Sequence, residues 1–283
     1  MSGERARSIL ISSLTTTKSR TTIALLAVAF ASCTTTAPAL REAPSIFAAT
    51  LPETNVSTPN ISTEEMERVV ASREAVLLDT RPHLEWAISH IPTAMNVAPK
   101  PDTPMSLYVS DVAEINRLVR GDKKKPLVLY CNGAFCGKSK RLADELMAAG
   151  HTDVRRYQLG APMWRALGKV MIVEPEGVRH VIAGDRTAVL IDAREAAAFS
   201  AGSVDGARNI ARSRVLPAKD SGEIKAAKDD GRLPMNDHNT RIIVFGARGE
   251  DARYVAEAIA REAFHNVTFF NGSYDDFVRA ARE

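Results

Sequence analysis

The chain contains two copies of one sequence pattern, and this repeat limits the fold more than any other feature. Residues 76–81 (VLLDTR) align with residues 189–194 (VLIDAR), 113 positions later, and at the same shift Asn96 meets Asn209. In each copy, short apolar runs of the strand type alternate with segments of helical spacing. The chain is therefore predicted to form two α/β domains, each with a mainly parallel sheet covered by helices.

The repeat also gives the domain boundaries. The first copy is predicted over residues 61–168 and the second over residues 169–283, and a chain of 283 residues is long enough for two domains of ordinary size. Ser62, followed three positions later by Glu65, has the pattern of a capping box, so a helix is expected to begin the first copy.

Residues 1–33 have the pattern of an export signal. Basic residues precede the apolar run 23–33 (IALLAVAFASC), which is too short to span a bilayer as a stable helix and ends in small side chains. The last three residues resemble a bacterial lipobox. Cys33 is therefore predicted to be the lipid anchor of a periplasmic protein, with no other membrane contact. Cleavage after Ala31 is the alternative and would give a secreted soluble form.

Residues 34–60 are rich in threonine, alanine and proline and show no sustained period, so they are predicted to be a disordered tether.

The excess of basic residues in the whole chain falls within residues 1–32, and the remainder holds equal numbers of cations and anions. A nucleic-acid partner would need basic residues concentrated on one face, so none is expected.

One cysteine follows directly after a predicted buried strand. The apolar run 127–130 (LVLY) ends at Cys131, a loop with glycines follows, and helical spacing resumes at Leu142 and Leu146. Loop amides that lead into a helix have no partners of their own, and the helix end is partly positive, so an anion is favoured there. Surroundings of this kind lower the pKa of a thiol. Cys131 is therefore the candidate nucleophile, and a buried structural cysteine is the alternative.

The second copy lacks this nucleophile. Gly246 stands where the first copy has Cys131, and the loop that follows is shorter and carries Glu250 and Asp251 in place of basic residues. The second domain is therefore predicted to be catalytically silent.

Four segments of the first copy together resemble the rhodanese family of sulfurtransferases: residues 79–81 (DTR), residues 90–96 (HIPTAMN), the cysteine loop after Tyr130, and residues 159–164 (LGAPMW). The resemblance implies two tandem rhodanese-like α/β domains, each with a five-stranded, mainly parallel sheet flanked by helices. It also implies a cysteine that accepts sulfane sulfur from thiosulfate or a similar small donor as a persulfide. The sulfur would then pass to cyanide or to a thiol, including a protein thiol. The resemblance implies no metal and no organic cofactor.

The site residues follow from this resemblance position by position. Cys131 would carry the persulfide, and Arg81 would also tie the end of the sheet to the loop. The substrate-binding residues, most of them through their loop amides, would be Arg81, Asn132, Gly133, Ala134, Phe135, Cys136, Gly137 and Lys138.

Two other chemistries stay open. The cysteine loop is longer than the common family loop and resembles that of rhodanese-like phosphatases, but a phosphatase normally needs an arginine six positions after the cysteine, where this chain has Gly137. Cys131 and Cys136 share the loop, so they could close a disulfide or resolve a persulfide. A non-catalytic or redox-responsive binding module is therefore the main alternative to a sulfurtransferase.

Overall fold

The computed structural model describes residues 45–98 and 111–282. The predicted export signal over residues 1–33, its lipid-anchor residue Cys33 and the first part of the predicted tether lie outside the described residues. Within the described part of the chain, no helix is both long enough and apolar enough to cross a membrane.

The first domain alternates helices with strands. Its elements are α1 (Thr63–Ser72), β1 (Val76–Asp79), α2 (His83–Ile88), β2 (Met95–Asn96), α3 (Asp111–Leu118), β3 (Leu127–Tyr130), α4 (Gly137–Ala148), β4 (Val154–Tyr157) and α5 (Gly160–Ala166). The strands are parallel and lie in the order β2-β1-β3-β4. Every residue of the inner strand β3 is buried, as expected for a strand with helices on both faces of its sheet.

The second domain repeats this arrangement. Its elements are β5 (Met171–Val173), α6 (Pro175–Gly184), β6 (Val189–Asp192), α7 (Ala196–Ser200), β7 (Arg208–Asn209), a 3₁₀ turn (Arg212–Arg214), α8 (Gly222–Asp229), β8 (Ile242–Phe245), α9 (Gly249–Ala260), β9 (Val267–Phe270) and α10 (Tyr274–Arg282). Its strands are also parallel and lie in the order β5-β9-β8-β6-β7. The predicted α/β fold of two tandem domains is confirmed.

The first sheet has four strands among the described residues, whereas five were predicted. The place beside β4 is taken by a single bridge between Asn60 and Arg156, while in the second sheet β5 pairs with β9. The Pro59 carbonyl accepts a hydrogen bond from the Arg156 amide at 2.9 Å, but Pro59 has no amide hydrogen to donate in return. The pairing therefore does not extend toward the start of β4.

The prediction of a disordered tether is wrong for residues 45–60, which pack against the first domain. The carboxylate of Glu53 accepts hydrogen bonds from Arg156 Nη1 at 2.9 Å and from Gln158 Nε2 at 3.2 Å. Thr58 is buried. Because the Arg156 side chain is only 2% exposed, Glu53 supplies the counter-charge that its guanidinium group needs.

The two domains share an interface that begins at the end of α2. His90 and Ile172 form an antiparallel bridge, with N–H···O distances of 2.9 and 2.8 Å. Helix α2 packs against α6, where Gly177 lies so close to the carbonyl group of Ala87 that a Cβ atom would overlap it. Close backbone contact of this kind requires glycine, so the two helices are held at short range.

Candidate active site

Cys131 lies at the carboxyl edge of the first sheet, directly after β3. Tyr130, the last residue of β3, is in register with Asp79 at the end of β1 and with Tyr157 at the end of β4. Cys131 itself is only 3% exposed. Open parallel sheets place ligand sites beyond this edge. The structure therefore puts the candidate nucleophile where such a fold can use it.

Residues 131–136 form a tight loop between β3 and α4. Gly133 has a φ of 97°, a backbone conformation that favours glycine, and its carbonyl oxygen accepts a hydrogen bond from the Cys136 amide at 3.0 Å. The side-chain amide of Asn132 donates to Glu85 Oε2, in α2, at 2.6 Å. The loop is thus held both by its own turn and by the neighbouring helix.

The start of α5 closes on this loop. The backbone N–H of Ala161 donates to the carbonyl oxygen of Cys131 at 3.0 Å. Gly160 has a φ of 65°, and a Cβ atom there would overlap the Cys131 oxygen and the Gly133 nitrogen. Residues 159–164, which the sequence singled out only by resemblance, therefore have a packing role that fixes the backbone of the cysteine loop.

A buried hydrogen-bond network supports the end of β3. The hydroxyl of Tyr130 donates to Asp79 Oδ2 at 2.5 Å and accepts from the Ile91 amide at 3.1 Å. Burial raises the pKa of the Tyr130 phenol well above its usual value, so the group remains a hydrogen-bond donor. The residue directly before Cys131 is thereby fixed to the end of β1.

Arg81, predicted as a substrate-binding residue, belongs to this internal network. Its Nη2 donates to Asp79 Oδ2 at 2.6 Å and to the carbonyl oxygen of Ser89 at 2.5 Å, and the residue is buried. Its guanidinium carbon lies 5.6 Å from the ring centroid of Tyr130. The structure gives Arg81 a supporting position beside the strand end, and its contact with substrate stays a prediction.

The first turn of α4 has the electrostatic character expected of an anion site. It contains Lys138 and Lys140 and no carboxylate, and the N-cap residue Cys136 makes no side-chain hydrogen bond to it. Lys138 is exposed, whereas Lys140 Nζ donates to the carbonyl oxygen of Asn55 at 2.6 Å. Amide donors at such a helix end, with positive charge beside them, favour an anion.

The equivalent helix of the second domain carries its own anions. Helix α9 has Glu250 and Asp251 in its first turn, and Arg248 Nε donates to Asp251 Oδ2 at 3.0 Å. Gly246 stands at the position of the cysteine. The second site therefore lacks both the nucleophile and the open positive helix end of the first.

Cys131 and Cys136 are joined by a disulfide, and their Cα atoms are 6.1 Å apart. This bond is one of the two roles that the sequence allows for the pair. A cysteine in a disulfide has no thiolate to act as a nucleophile, so chemistry at Cys131 requires reduction first.

The other loop residues predicted to bind substrate lie at or near the surface. Gly137 and Lys138 are exposed, and Ala134 is partly buried. The ring of Phe135 projects fully into solvent. The prediction for most of these residues concerned their backbone amides, and substrate contact by those amides stays a prediction.

A cavity of about 1110 Å³ lies between the two domains, away from the disulfide loop. Trp86 and His90 line it on the first domain, and Gly249 and Arg253 line it on the second. Burial lowers the pKa of His90 to about 4, so this ring is neutral at pH 7. Sequence reasoning missed this cavity because it forms only when the domains pack.

Within the described ranges, no group of three or more His, Cys, Asp or Glu side chains is placed to hold a metal ion.

Comparison with known proteins identifies one matching family and several proteins that are similar to part of the chain. The family model described as "Rhodanese-like domain" matches residues 62–167 and 176–280. The chain is similar to an HTH-type transcriptional regulator of Mycobacterium tuberculosis, with 32% identity over 108 residues that make up 38% of this chain and 42% of that protein. The chain thus spans about two fifths of the length of the curated relative it matches.

Two solved structures are similar to this chain at low sequence identity. A 3-mercaptopyruvate sulfotransferase, SseA from Escherichia coli, is 21% identical with a TM-score of 0.32, over 77% of this chain and 99% of that one. A thiosulfate sulfurtransferase from Pseudomonas aeruginosa is 19% identical with a TM-score of 0.33, over 78% of this chain and 44% of that one.

Proposed function

The chain belongs to the rhodanese family, because the two segments matched by the family model cover most of its length, and we propose that it is a sulfurtransferase with a persulfide on Cys131. In the proposed reaction, the Cys131 thiolate attacks the outer sulfur of thiosulfate or a similar donor. The bond between the two donor sulfurs breaks, sulfite leaves, and a persulfide forms. Cyanide or a thiol then takes the outer sulfur and the thiolate returns.

The observation that supports this proposal is the position of Cys131 between the end of β3 and the start of α4. The thiolate, the persulfide and the thiosulfate dianion are all anions. A helix N-terminus without a capping side chain or a carboxylate, with Lys138 beside it, favours each of them in turn. The loop and α5 hold the cysteine backbone so that this geometry does not depend on a bound substrate.

The test measures the sulfur that the protein gains from thiosulfate and the sulfur that it transfers to cyanide. All forms carry Cys33→Ser, so that only Cys131 and Cys136 remain of the three cysteines. The Cys136→Ser chain, in which Cys131 cannot be trapped in the disulfide, should gain the mass of one sulfur atom on incubation with thiosulfate. It should also form thiocyanate when cyanide is added. A matched chain with Cys131→Ser as well should do neither, and the proposal fails if the two chains behave alike.

A second candidate function is a redox-responsive module without turnover. The disulfide between Cys131 and Cys136 favours it, because a loop that alternates between dithiol and disulfide is sufficient for a switch. In that case the reduced chain would bind partners differently from the oxidised chain, yet neither form would take sulfur from thiosulfate. The mass measurement above therefore separates the two functions.

We also propose that the protein acts outside the cytoplasm, anchored through a lipid on Cys33. A disulfide in the described part of the chain fits an oxidising compartment. The test is the intact mass of the N-terminal peptide from the native host. A lipidated N-terminal Cys33 supports an anchored form, and an unmodified peptide that begins at Ser32 supports the secreted form instead.

A further inference from the structure

Cys136 has a position that the sulfur transfer proposed above does not use. It lies five positions after Cys131, and the two Cα atoms are 6.1 Å apart in the disulfide. The turn closed by the hydrogen bond from the Cys136 amide to the Gly133 carbonyl folds the loop back on itself. The turn that presents Cys131 therefore also brings a second thiol within bonding distance of it.

The two cysteine residues of the disulfide differ in exposure. Cys131 is 3% exposed, whereas Cys136 is only partly buried. An external thiol therefore reaches Cys136 more readily, and Cys131 departs as the thiolate. Both sulfur atoms lie at the start of α4, of which Cys136 is the N-cap residue, so this helix end favours either cysteine as the leaving thiolate, and the difference in exposure sets the direction of attack.

We propose that Cys136 is a resolving cysteine, through which the chain releases sulfide from the Cys131 persulfide. This inference rests on the proposed function, because it starts from that persulfide. Cys136 Sγ attacks Cys131 Sγ, and the bond between Cys131 and the sulfane sulfur breaks. The sulfane sulfur leaves with the electron pair of that bond and takes the proton of the Cys136 thiol, as HS⁻. The two cysteines are oxidised to the disulfide, and with thiosulfate as donor the products are sulfite and one sulfide.

A further turnover requires a dithiol reductant, either a small molecule or a protein. One of its thiolates attacks Cys136 Sγ, and Cys131 leaves as the thiolate. The second thiol of the reductant then attacks the mixed disulfide and frees Cys136. The reductant departs as its own disulfide, having supplied the two electrons that the release of sulfide required.

The second domain offers an internal comparison for the loop. Six residues, 131–136, separate β3 from α4, whereas three residues, 246–248, separate β8 from α9. The shorter loop has no cysteine. The greater length and the pair of thiols therefore occur together, as expected if the length serves to bring Cys136 back to Cys131.

The experiment follows one round of reaction under nitrogen, with the Cys33→Ser chain reduced by dithiothreitol and then freed of it. After one addition of thiosulfate, the chain should release one sulfide and lose the mass of two hydrogen atoms as its disulfide forms. The Cys136→Ser form should instead keep one additional sulfur atom and release no sulfide. Renewed dithiothreitol should restore the first chain for a second round.

Two results would overturn the inference in distinguishable ways. If the chain with both thiols stably keeps one additional sulfur and forms no disulfide, Cys136 does not resolve the persulfide, while the proposed sulfurtransferase function stands. This outcome is read from the chain with both thiols and needs no folded variant. If neither chain gains sulfur or releases sulfide, the proposed function and the resolving role both fail.

Discussion

The carbonyl oxygen of Cys131 accepts a hydrogen bond of 3.0 Å from the backbone N–H of Ala161. This bond joins the cysteine loop to the start of α5, and it forms only because Gly160 can lie against the loop backbone with a φ of 65°. The cysteine is thus fixed from both sides, by β3 before it and by α5 across from it.

We expect Gly160→Ala to move the cysteine loop and to abolish most of the sulfur transfer. The added Cβ would overlap the backbone at Cys131 and Gly133, and alanine at positive φ is strained, so stability should fall by about 2 kcal/mol or more. Gly150→Ala is the matched control, because Gly150 has a φ of 89° but open space around it. It should lose about 1 kcal/mol and keep its activity. Urea unfolding and thiocyanate formation check both, and equal activity of the two variants would contradict the prediction.

Tyr130→Phe should destabilise the first domain and slow its chemistry. The variant removes the hydroxyl that donates to the fully buried Asp79 and leaves the Ile91 amide without its acceptor, at a cost of about 1–3 kcal/mol. The second domain has phenylalanine at this position, and there Ser203 donates to the buried Asp192 at 2.7 Å instead.

Ser203→Ala is therefore the matched variant for Tyr130→Phe. It should lower the free energy of unfolding by a similar amount but leave the rate of sulfur transfer unchanged, since Ser203 lies in the domain without the cysteine. Urea unfolding and the thiocyanate assay measure the two effects. If Tyr130→Phe unfolds at the same urea concentration as the parent, the network does not support β3 in the way described.

Stability should fall as the pH drops from 6.5 toward 4, because of His90. Burial lowers the pKa of this ring from 6.5 to about 4, so the folded state binds fewer protons than the unfolded state within that window. The stabilisation is fully present above 6.5 and is lost as the pH falls, by about 3 kcal/mol at most. Glu174, 3.5 Å from the ring, has a pKa that burial raises, so it acts in the opposite direction.

The comparison that isolates His90 uses His90→Asn, whose side-chain amide can still donate to the Trp86 carbonyl as Nδ1 does. Urea unfolding at a series of pH values should give a steeper loss of stability for the parent than for this variant. Parallel curves for the two proteins would show that another group causes the pH dependence.

The elements set by local sequence could be predicted. The apolar runs gave the strands, the shift of 113 positions gave the second domain, and the capping box at Ser62 is present, with the Ser62 side chain accepting from the Glu65 amide at 3.2 Å. The place of Cys131 at a strand end also followed from local pattern, because a strand, a loop and a helix in succession leave few other positions for it.

The features that depend on distant contacts could not be predicted. Glu53 and Arg156 are 103 positions apart, and neither residue alone indicates that the segment before the first domain is packed. The same holds for Gly160, whose neighbours in space belong to a loop more than twenty positions earlier. Pro59 did carry a local signal against a full edge strand, since proline cannot donate to a sheet, but the resemblance to a five-stranded family concealed it.

Replacing Gly246 with cysteine should not create a second active site. The position accepts a Cβ atom, which would lie 3.4 Å from its nearest neighbours. The first turn of α9, however, holds Glu250 and Asp251, and their charges disfavour a thiolate at that helix end. We therefore expect Gly246→Cys, in a chain that has serine at positions 33, 131 and 136, to take no sulfur from thiosulfate.

The rate of alkylation by iodoacetamide at pH 7 depends on the fraction of thiolate and on access to the sulfur, and the change of this rate with pH gives the pKa of the thiol in this variant. The thiol at position 246 should react more slowly than Cys131 in the Cys136→Ser chain, and adding Asp251→Asn should increase its rate. Because Cys131 meets no carboxylate in the first turn of its helix, the increase caused by Asp251→Asn measures how much of the difference comes from these charges rather than from the different lengths of the two loops. Alkylation at position 246 as fast as at Cys131 would show instead that the fold alone activates a cysteine at this edge.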